Sequence, residues 1–188
     1  MPKLLVMLLD ATDDATRLAD ATVDGASSVR FTEVDLRSNT PHGPIAGRRY
    51  RQLESREGIK DYDGLVLVAA NPSSPGLVAF IEDLKPFASR GVYANLVIGV
   101  TTSQPEPAAN AVAPLGGIVI TSADATEPMH VAKHLAARVA RVGAWVRHSL
   151  DHEHHERGEH HHPDNDHHHE HEAEETKRRG KILRSPLP

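Results

Sequence analysis

The chain contains no cysteine. Disulfides, zinc–thiolate sites, iron–sulfur clusters and a cysteine nucleophile are therefore excluded. Aromatic residues make up only 4% of the sequence, which argues against the stacking platforms that bind single-stranded nucleic acid. The N-terminal apolar run, Leu4–Leu9, ends at Asp10 and is too short for a membrane span or the core of a signal peptide. We therefore expect a cytoplasmic protein without nucleic-acid or membrane partners.

Charge divides the 188 residues into three segments. Residues 1–150 hold 15 basic and 16 acidic residues, residues 151–176 hold one Arg and ten acids, and residues 177–188 hold five basic residues and no acid. A segment with few apolar residues and dense charge cannot offset the entropy of ordering its chain. We predict a folded domain over 1–150, a disordered acidic tail over 151–176 and a basic terminal segment over 177–188. That last segment is either a docking peptide for a protein partner or a solubilised terminus, and the second interpretation is favoured.

Short runs rich in Val, Leu and Ile alternate with helical patterns along residues 1–150. The predicted strands are Leu4–Leu9, Val29–Leu36, Leu65–Ala70, Leu96–Val100 and Ile118–Thr121. The predicted helices are Asp14–Ser27, Gly76–Ala88, Glu106–Leu115 and Pro128–Leu150. Wholly apolar strands are buried on both faces, as in parallel sheets covered by helices. The pattern predicts an α/β fold of the flavodoxin-like class: a doubly wound, five-stranded parallel sheet in the order 2-1-3-4-5.

The region around the second strand is more polar than the rest of the domain. Val29–Leu36 alternates between apolar and polar residues, which is typical of an edge strand with one wetter face. Arg48–Glu57 is predicted to be a polar helix. Its basic cluster, formed by Arg48, Arg49 and Arg51, is either a solvated helix face or an anion site, and the solvated face is the favoured interpretation.

Three stretches of the domain carry a family resemblance: KLLVMLLDATDDATRLADATVDGA, DYDGLVLVAANPSSPG and GVTTSQPEPAANAVAPLGGIVI. Their order resembles the flavodoxin-like NAD(P)H:quinone oxidoreductases of the tryptophan-repressor-binding-protein type. The resemblance implies a homo-oligomer that reduces quinones with two electrons from NAD(P)H. It also implies FMN, with its phosphate in loop Asp10–Thr16 and its ring in loops Asn71–Gly76 and Thr101–Pro107. The implied cofactor-binding residues are Thr12, Thr16, Asn71, Ser73, Thr101, Thr102 and Ser103.

The first of these loops departs from what a phosphate requires. A phosphate loop needs hydroxyl and backbone N–H donors and no negative charge, but this one contains Asp10, Asp13 and Asp14. One carboxylate about 5 Å from a phosphate charge costs roughly 3 kcal/mol at an effective dielectric near 20. Asp13 is also predicted to cap the first helix and to compete for its N–H groups. The residues therefore favour a degenerate flavin site.

The acidic tail carries the most specific chemistry in the sequence. Ten histidines fall within twenty residues and are interleaved with carboxylates. They are His152, His154, His155, His160, His161, His162, His167, His168, His169 and His171. Imidazole is a good ligand for Zn²⁺, Ni²⁺ and Cu²⁺, so these histidines are the predicted metal ligands.

Two features of the last predicted helix each have two interpretations. His130 and His134 stand four residues apart, so they either share a metal or are two unrelated exposed histidines, which is favoured. Trp145 is either a contact between subunits or a core residue, which is favoured. Overall we interpret the chain as a flavodoxin-fold protein with a decayed flavin site, acting as a divalent-metal-binding accessory protein. The alternative is an active FMN-dependent quinone oxidoreductase.

Overall fold

The sheet contains six strands within the residues that the structure describes, namely 1–39, 50–103, 109–121 and 127–156. They are β1 (Lys3–Leu8), β2 (Glu33–Ser38), β3 (Arg51–Gln52), β4 (Gly64–Ala69), β5 (Val97–Thr102) and β6 (Ile118–Ile120). In this computed structural model all the pairings are parallel, and the spatial order is β3-β2-β1-β4-β5-β6. Without the two-residue β3, this is the predicted order 2-1-3-4-5. The flavodoxin-like sheet is therefore confirmed, with one strand added at its edge.

Helices cover both faces of this sheet. α1 (Asp13–Ser27) and α4 (Pro128–Glu156) pack on one face, and α2 (Pro75–Ala88) and α3 (Ala109–Val112) pack on the other. Two 3₁₀ turns, Glu57–Asp61 and Ala113–Leu115, lie in the connections. The predicted helix Glu106–Leu115 is therefore shorter than expected in its described part, and residues 104–108 lie outside the described residues.

The central strands are apolar because both of their faces are covered. In β1, Leu4, Val6 and Leu8 face α1 and α4, whereas Leu5 and Met7 face α2. Each of these side chains is at most 1% exposed. Full burial of such a side chain contributes roughly 1.5–3 kcal/mol, so the two-sided core holds the carboxyl ends of the strands in fixed positions.

α1 and α4 approach each other closely at Gly25. A Cβ on this residue would lie 2.6 Å from the Cα of Lys133, so only glycine fits there. The Nζ of Lys133 also pairs with Asp24 Oδ2 at 3.3 Å. This packing fixes the orientation of α4 and leaves His130 and His134 on its exposed face.

The segment between β1 and β4 differs most from the sequence prediction. β2 begins at Glu33 rather than at Val29, because Phe31 adopts a left-handed backbone with φ of +62° and interrupts the extended chain. The predicted helix Arg48–Glu57 is wrong, since Arg51–Gln52 forms β3 and pairs with β2. β2 is consequently not the edge strand. Residues 40–49 lie outside the described residues.

α4 also differs from its prediction. It begins at Pro128 as expected but ends at Glu156, six residues beyond Leu150, so the first residues of the predicted disordered tail are helical. Trp145 is 71% exposed, and its favoured assignment to the core is wrong. The remaining tail and the basic segment 177–188 lie outside the described residues. No helix in the described ranges is long and apolar enough to cross a membrane.

Candidate functional site

The sheet has its topological switch point between β1 and β4. α1 follows β1 on one face and α2 follows β4 on the other, so a crevice forms outside the carboxyl ends of these strands. The loops after β1, β4 and β5 meet at this edge. The structure thus brings the first residues of the three predicted loops together, and residues 104–107 of the third loop lie outside the described residues.

The first loop uses its threonines to cap α1. Thr12 Oγ1 accepts a hydrogen bond from the backbone N of Ala15 at 3.2 Å, which makes Thr12 the N-cap instead of the predicted Asp13. The hydroxyl of Thr16, only 5% exposed, donates to the carbonyl oxygen of Thr12 at 2.9 Å. Asp13 and Asp14 are exposed in the first turn, where negative charge stabilises the helix.

The carboxylate of Asp10 lies within the crevice. Its Oδ2 accepts a hydrogen bond from the backbone N of Ala70 at 2.6 Å, which joins the loop after β1 to the end of β4. On the other side, a Cβ on Gly76 would lie 2.7 Å from Asp10 Oδ1. Gly76 is therefore required by the close approach of the first turn of α2 to this loop.

The second loop is a tight turn that caps α2. Asn71 Oδ1 accepts from the backbone N of Ser73 at 3.0 Å, and the carbonyl of Asn71 accepts from Ser74 N at 3.1 Å. Ser74 Oγ then caps α2 by accepting from Leu77 N at 3.1 Å. Ser73 is exposed, whereas Ser74, which is not among the predicted site residues, is buried. The proline after Ser74 was the available signal, because proline favours the first helical position.

The described part of the third loop begins with buried hydroxyl groups. Ser103 Oγ donates to the carbonyl of Ala70, so this serine also ties two loops together. Thr101 and Thr102 are buried at the end of β5, at 2% and 8% exposure. Among the residues that the structure describes, the Oγ1 of Thr101 finds no hydrogen-bond partner. A buried hydroxyl without a partner lowers the stability of the folded protein, but a group as buried as Thr101 Oγ1 is not accessible to a ligand at the surface.

These contacts test whether FMN phosphate fits the first loop. The two threonine hydroxyls that the resemblance assigns to the phosphate already serve the helix cap. The carboxylate of Asp10 lies in the crevice, and Asp13 adds negative charge at the helix N-terminus, where Asp14 is paired with Arg17 at 2.5 Å. A phosphate group requires free donors and positive or neutral surroundings. The described residues of the first loop therefore do not fit the phosphate of FMN.

A second cleft, which no sequence pattern indicated, lies beside β2 on the α2 face. Its volume is about 280 Å³. Its lining residues are Lys3, Glu33, Asp35, Arg37, Leu53, Glu54, Ser55, Gly58, Asp61 and Tyr62. Acidic side chains outnumber basic ones by four to two in this lining, so the cleft disfavours anions such as phosphate.

Asp35, Arg37 and Tyr62 form a hydrogen-bonded group in this second cleft. Asp35 Oδ2 accepts from Arg37 Nε and from the Tyr62 hydroxyl, each at 2.8 Å. Burial raises the pKa of the Asp35 carboxyl, but the hydrogen bonds from Arg37 and Tyr62 outweigh it and hold that pKa below its ordinary value. Burial, together with the bond to Asp35, raises the pKa of Tyr62 to about 12. The group is therefore an ion pair at neutral pH that shapes the wall of the cleft.

The histidines are distributed along α4 and beyond it. The rings of His130 and His134 lie side by side, with centroids 4.3 Å apart. His152 is exposed near the end of α4, and of His154 and His155 only the helical backbone is described. The other seven predicted metal ligands, His160, His161, His162, His167, His168, His169 and His171, lie outside the described residues. In the described ranges, no group of three or more His, Cys, Asp or Glu side chains is placed to hold a metal.

The strand order and the alternate placement of the helices define an α/β protein of the flavodoxin-like class. No family model and no curated protein sequence matches the chain. The flavodoxin of Streptococcus pneumonia TIGR4 is 14% identical with a TM-score of 0.49, over 74% of this chain and 97% of the flavodoxin. Flavodoxin 1 from Bacillus cereus is 9% identical with a TM-score of 0.46, over the same shares of the two chains.

An AraC family transcriptional regulator from Pseudomonas putida is 13% identical with a TM-score of 0.39, over 80% of this chain and 100% of the regulator. These identities and TM-scores are too low to support an argument about function. The assignment to the flavodoxin-like class therefore depends on the strand order and the helix placement.

Proposed function

We propose that this chain is a divalent-metal-binding accessory protein, in which a flavodoxin-like domain carries the histidine-rich segment 151–176. The observation that carries the proposal is the set of ten histidines between residues 152 and 171. Neutral imidazole is a ligand for Ni²⁺, Cu²⁺ and Zn²⁺, and the ten acids of the same segment attract cations. Such a segment can hold several ions and release them readily, which is the requirement for buffering or delivering a metal.

The carboxyl edge of the sheet supports this proposal over a flavin enzyme. Its hydroxyl groups cap helices and join loops, and its charge opposes a phosphate. The domain then serves as a folded carrier, and the chemistry resides in histidines at the end of its last helix and after it in the sequence.

Calorimetric titration of the full chain with Ni²⁺ and Zn²⁺ tests the proposal. At pH 7.5 we expect several ions per chain, and a full-chain variant with all ten tail histidines replaced by Asn should lose most of them. In a matched control, His42, His130, His134 and His148 are replaced by Asn and the tail is retained. This control should keep most of the binding. If the ten-histidine variant binds as many ions as the unchanged chain, the proposal is wrong.

The same titration near pH 5 gives a second check. An unperturbed imidazole has a pKa of about 6.5, so acidification protonates the tail histidines. The formal charge of residues 151–176 then changes from −9 to about +1. Protons compete for the ligand nitrogens and the electrostatic attraction is lost, so most of the binding should disappear. Binding that is equal at both pH values would point to the carboxylates instead of the histidines.

An FMN-dependent reductase that passes two electrons from NAD(P)H to a quinone is the second candidate, favoured only by the flavodoxin-like strand order. When bound, the cofactor would supply the redox chemistry, and the protein would supply position and electrostatics. Titration of the purified full chain with FMN, followed by flavin fluorescence, separates the two candidates. We expect no saturable uptake, whereas binding of one FMN per chain would favour the reductase.

A further inference from the structure

The outer face of α4 carries two histidines in contact with each other. The imidazole rings of His130 and His134 have centroids 4.3 Å apart and planes inclined by 54°. Both residues are exposed, and neither ring makes a hydrogen bond to a described residue. We propose that these two histidines form a chelate for one Ni²⁺ or Cu²⁺ ion, separate from the histidine-rich segment 151–176.

The spacing of the two rings fits adjacent positions around a metal. A metal–nitrogen bond of about 2.1 Å, with the ring centre about 1.2 Å beyond the nitrogen, puts each centroid about 3.3 Å from the metal. Two such rings are about 4.7 Å apart at a right angle and about 5.4 Å apart at a tetrahedral angle. The observed 4.3 Å is closer to the right angle. Square-planar and octahedral ions such as Cu²⁺ and Ni²⁺ use that angle, and they are the ions proposed for this pair.

Packing of α4 holds this spacing in the folded protein. Residues four apart lie on one face of a helix, and the opposite face of this segment is anchored by Ala132, Leu135 and Ala136, all fully buried. Gly25 of α1 packs directly against the backbone of Lys133, between the two histidines in sequence. The fold therefore fixes the backbone positions of the two histidines on one helix face, and the pair exists only while α4 is folded.

The charges nearest the histidines are of both signs. Lys133 is neutralised by its pairing with Asp24 at 3.3 Å, whereas Arg138 donates to the carbonyl of Thr121 at 3.0 Å and keeps its positive charge. Glu127 is exposed one turn before His130 and contributes negative charge. Because the described residues supply no third ligand, water would complete the coordination. A site with two protein ligands and several waters exchanges its metal quickly, which suits a transfer site more than a permanent structural one.

Thermal unfolding distinguishes this chelate from the tail. A ligand that binds only the folded state raises the folding constant by a factor of 1 + [L]/Kd, which is about elevenfold when free Ni²⁺ is ten times Kd. For a chain of this size the midpoint of unfolding should rise by about 3–6 °C. The experiment uses the full chain with all ten tail histidines replaced by Asn, so that the tail does not bind the metal.

In this background His134→Gln should abolish the rise, and His130→Gln should do the same. Arg141→Gln is the matched control, because Arg141 is an exposed residue of the same helix, and it should keep the rise. Electron paramagnetic resonance of bound Cu²⁺ should show splitting from two nitrogen ligands, reduced to one in either variant. The proposal is overturned if Ni²⁺ gives no rise, or if His134→Gln leaves the rise unchanged.

The two metal proposals fail independently. If the unchanged chain binds several ions and the ten-histidine variant shows no metal-dependent rise, the tail site stands and the α4 chelate is wrong. If the ten-histidine variant binds one ion with the expected rise, and the unchanged chain also binds only one, the chelate stands and the tail proposal is wrong.

Discussion

Replacing Asp10 by Ala should destabilise the domain more than replacing any other acid of the loop after β1. Asp10 Oδ2 accepts a hydrogen bond from the backbone N of Ala70 at 2.6 Å, and both residues are only partly exposed. Hydrogen bonds to a charged group contribute roughly 1.5–3 kcal/mol, and the substitution leaves an N–H group without its acceptor. We therefore expect a loss of about 2 kcal/mol and a fall in Tm of roughly 4–8 °C.

Urea unfolding of three variants measures this contribution. Asp10→Asn keeps an acceptor oxygen without the charge, so it should lose about half as much as Asp10→Ala. Asp13→Ala is the control, because Asp13 is exposed and contributes only through the helix dipole, about 0.3–1 kcal/mol. If Asp10→Ala stays within about 0.5 kcal/mol of the unchanged protein, the hydrogen bond does not join the two loops as described.

Two further predictions concern packing and pH. Gly25→Ala should destabilise the protein to urea by about 1–3 kcal/mol, because the new Cβ overlaps the backbone of Lys133. Gly58→Ala is the control, because a Cβ on Gly58 would have its nearest neighbour 4.0 Å away, and this variant should be about as stable as the unchanged protein. Equal stability of the Gly25→Ala and Gly58→Ala variants would contradict the packing of α1 on α4. Burial is the chief cause that raises the pKa of Tyr62 and of Tyr93 to about 12. The two neutral hydroxyl groups therefore stabilise the folded state fully below about pH 10, the pKa of tyrosine in the unfolded chain, and this stabilisation is lost as the pH rises from about 10 to about 12. Tyr93→Phe should reduce the dependence of unfolding on alkaline pH by roughly one proton, and an unchanged dependence would refute this assignment.

The order of the main strands was predictable because burial on both faces leaves a strong sequence signal. β1 and β4 are almost wholly apolar, and runs of this kind separated by helical patterns occur in parallel sheets. β3 has no such signal, since it consists of Arg51 and Gln52 and exists only by pairing with the end of β2. The start of β2 at Glu33 was also not predictable from the sequence, because Phe31 adopts a backbone conformation that phenylalanine rarely takes.

The candidate site was less predictable from the sequence, because neighbouring residues can fill the same structural role and because distant residues meet there. Thr12 and Asp13 are both good N-cap residues, and only the geometry of the chain selects Thr12. The bond from Ala70 N to Asp10 joins residues sixty apart in sequence, which no local pattern encodes. Trp145 lies next to the inward-facing Val146 on α4, so helical periodicity alone did not decide its exposure.

A ligand binds where polar groups are accessible and not already committed to the fold. At the carboxyl edge of the sheet, Thr12, Thr16 and Ser103 are committed to caps and loop contacts, and the unpartnered hydroxyl of Thr101 is only 2% exposed. On α4 the situation is reversed, because His130 and His134 are exposed, lie side by side on one helix face and make no other hydrogen bonds in the described part of the chain. A flavin phosphate would have to displace contacts that stabilise the domain, whereas a metal ion on α4 displaces only water. Ligand binding therefore costs more free energy at the switch point of the sheet than on α4, and this difference favours a function on α4 and in the histidine-rich segment.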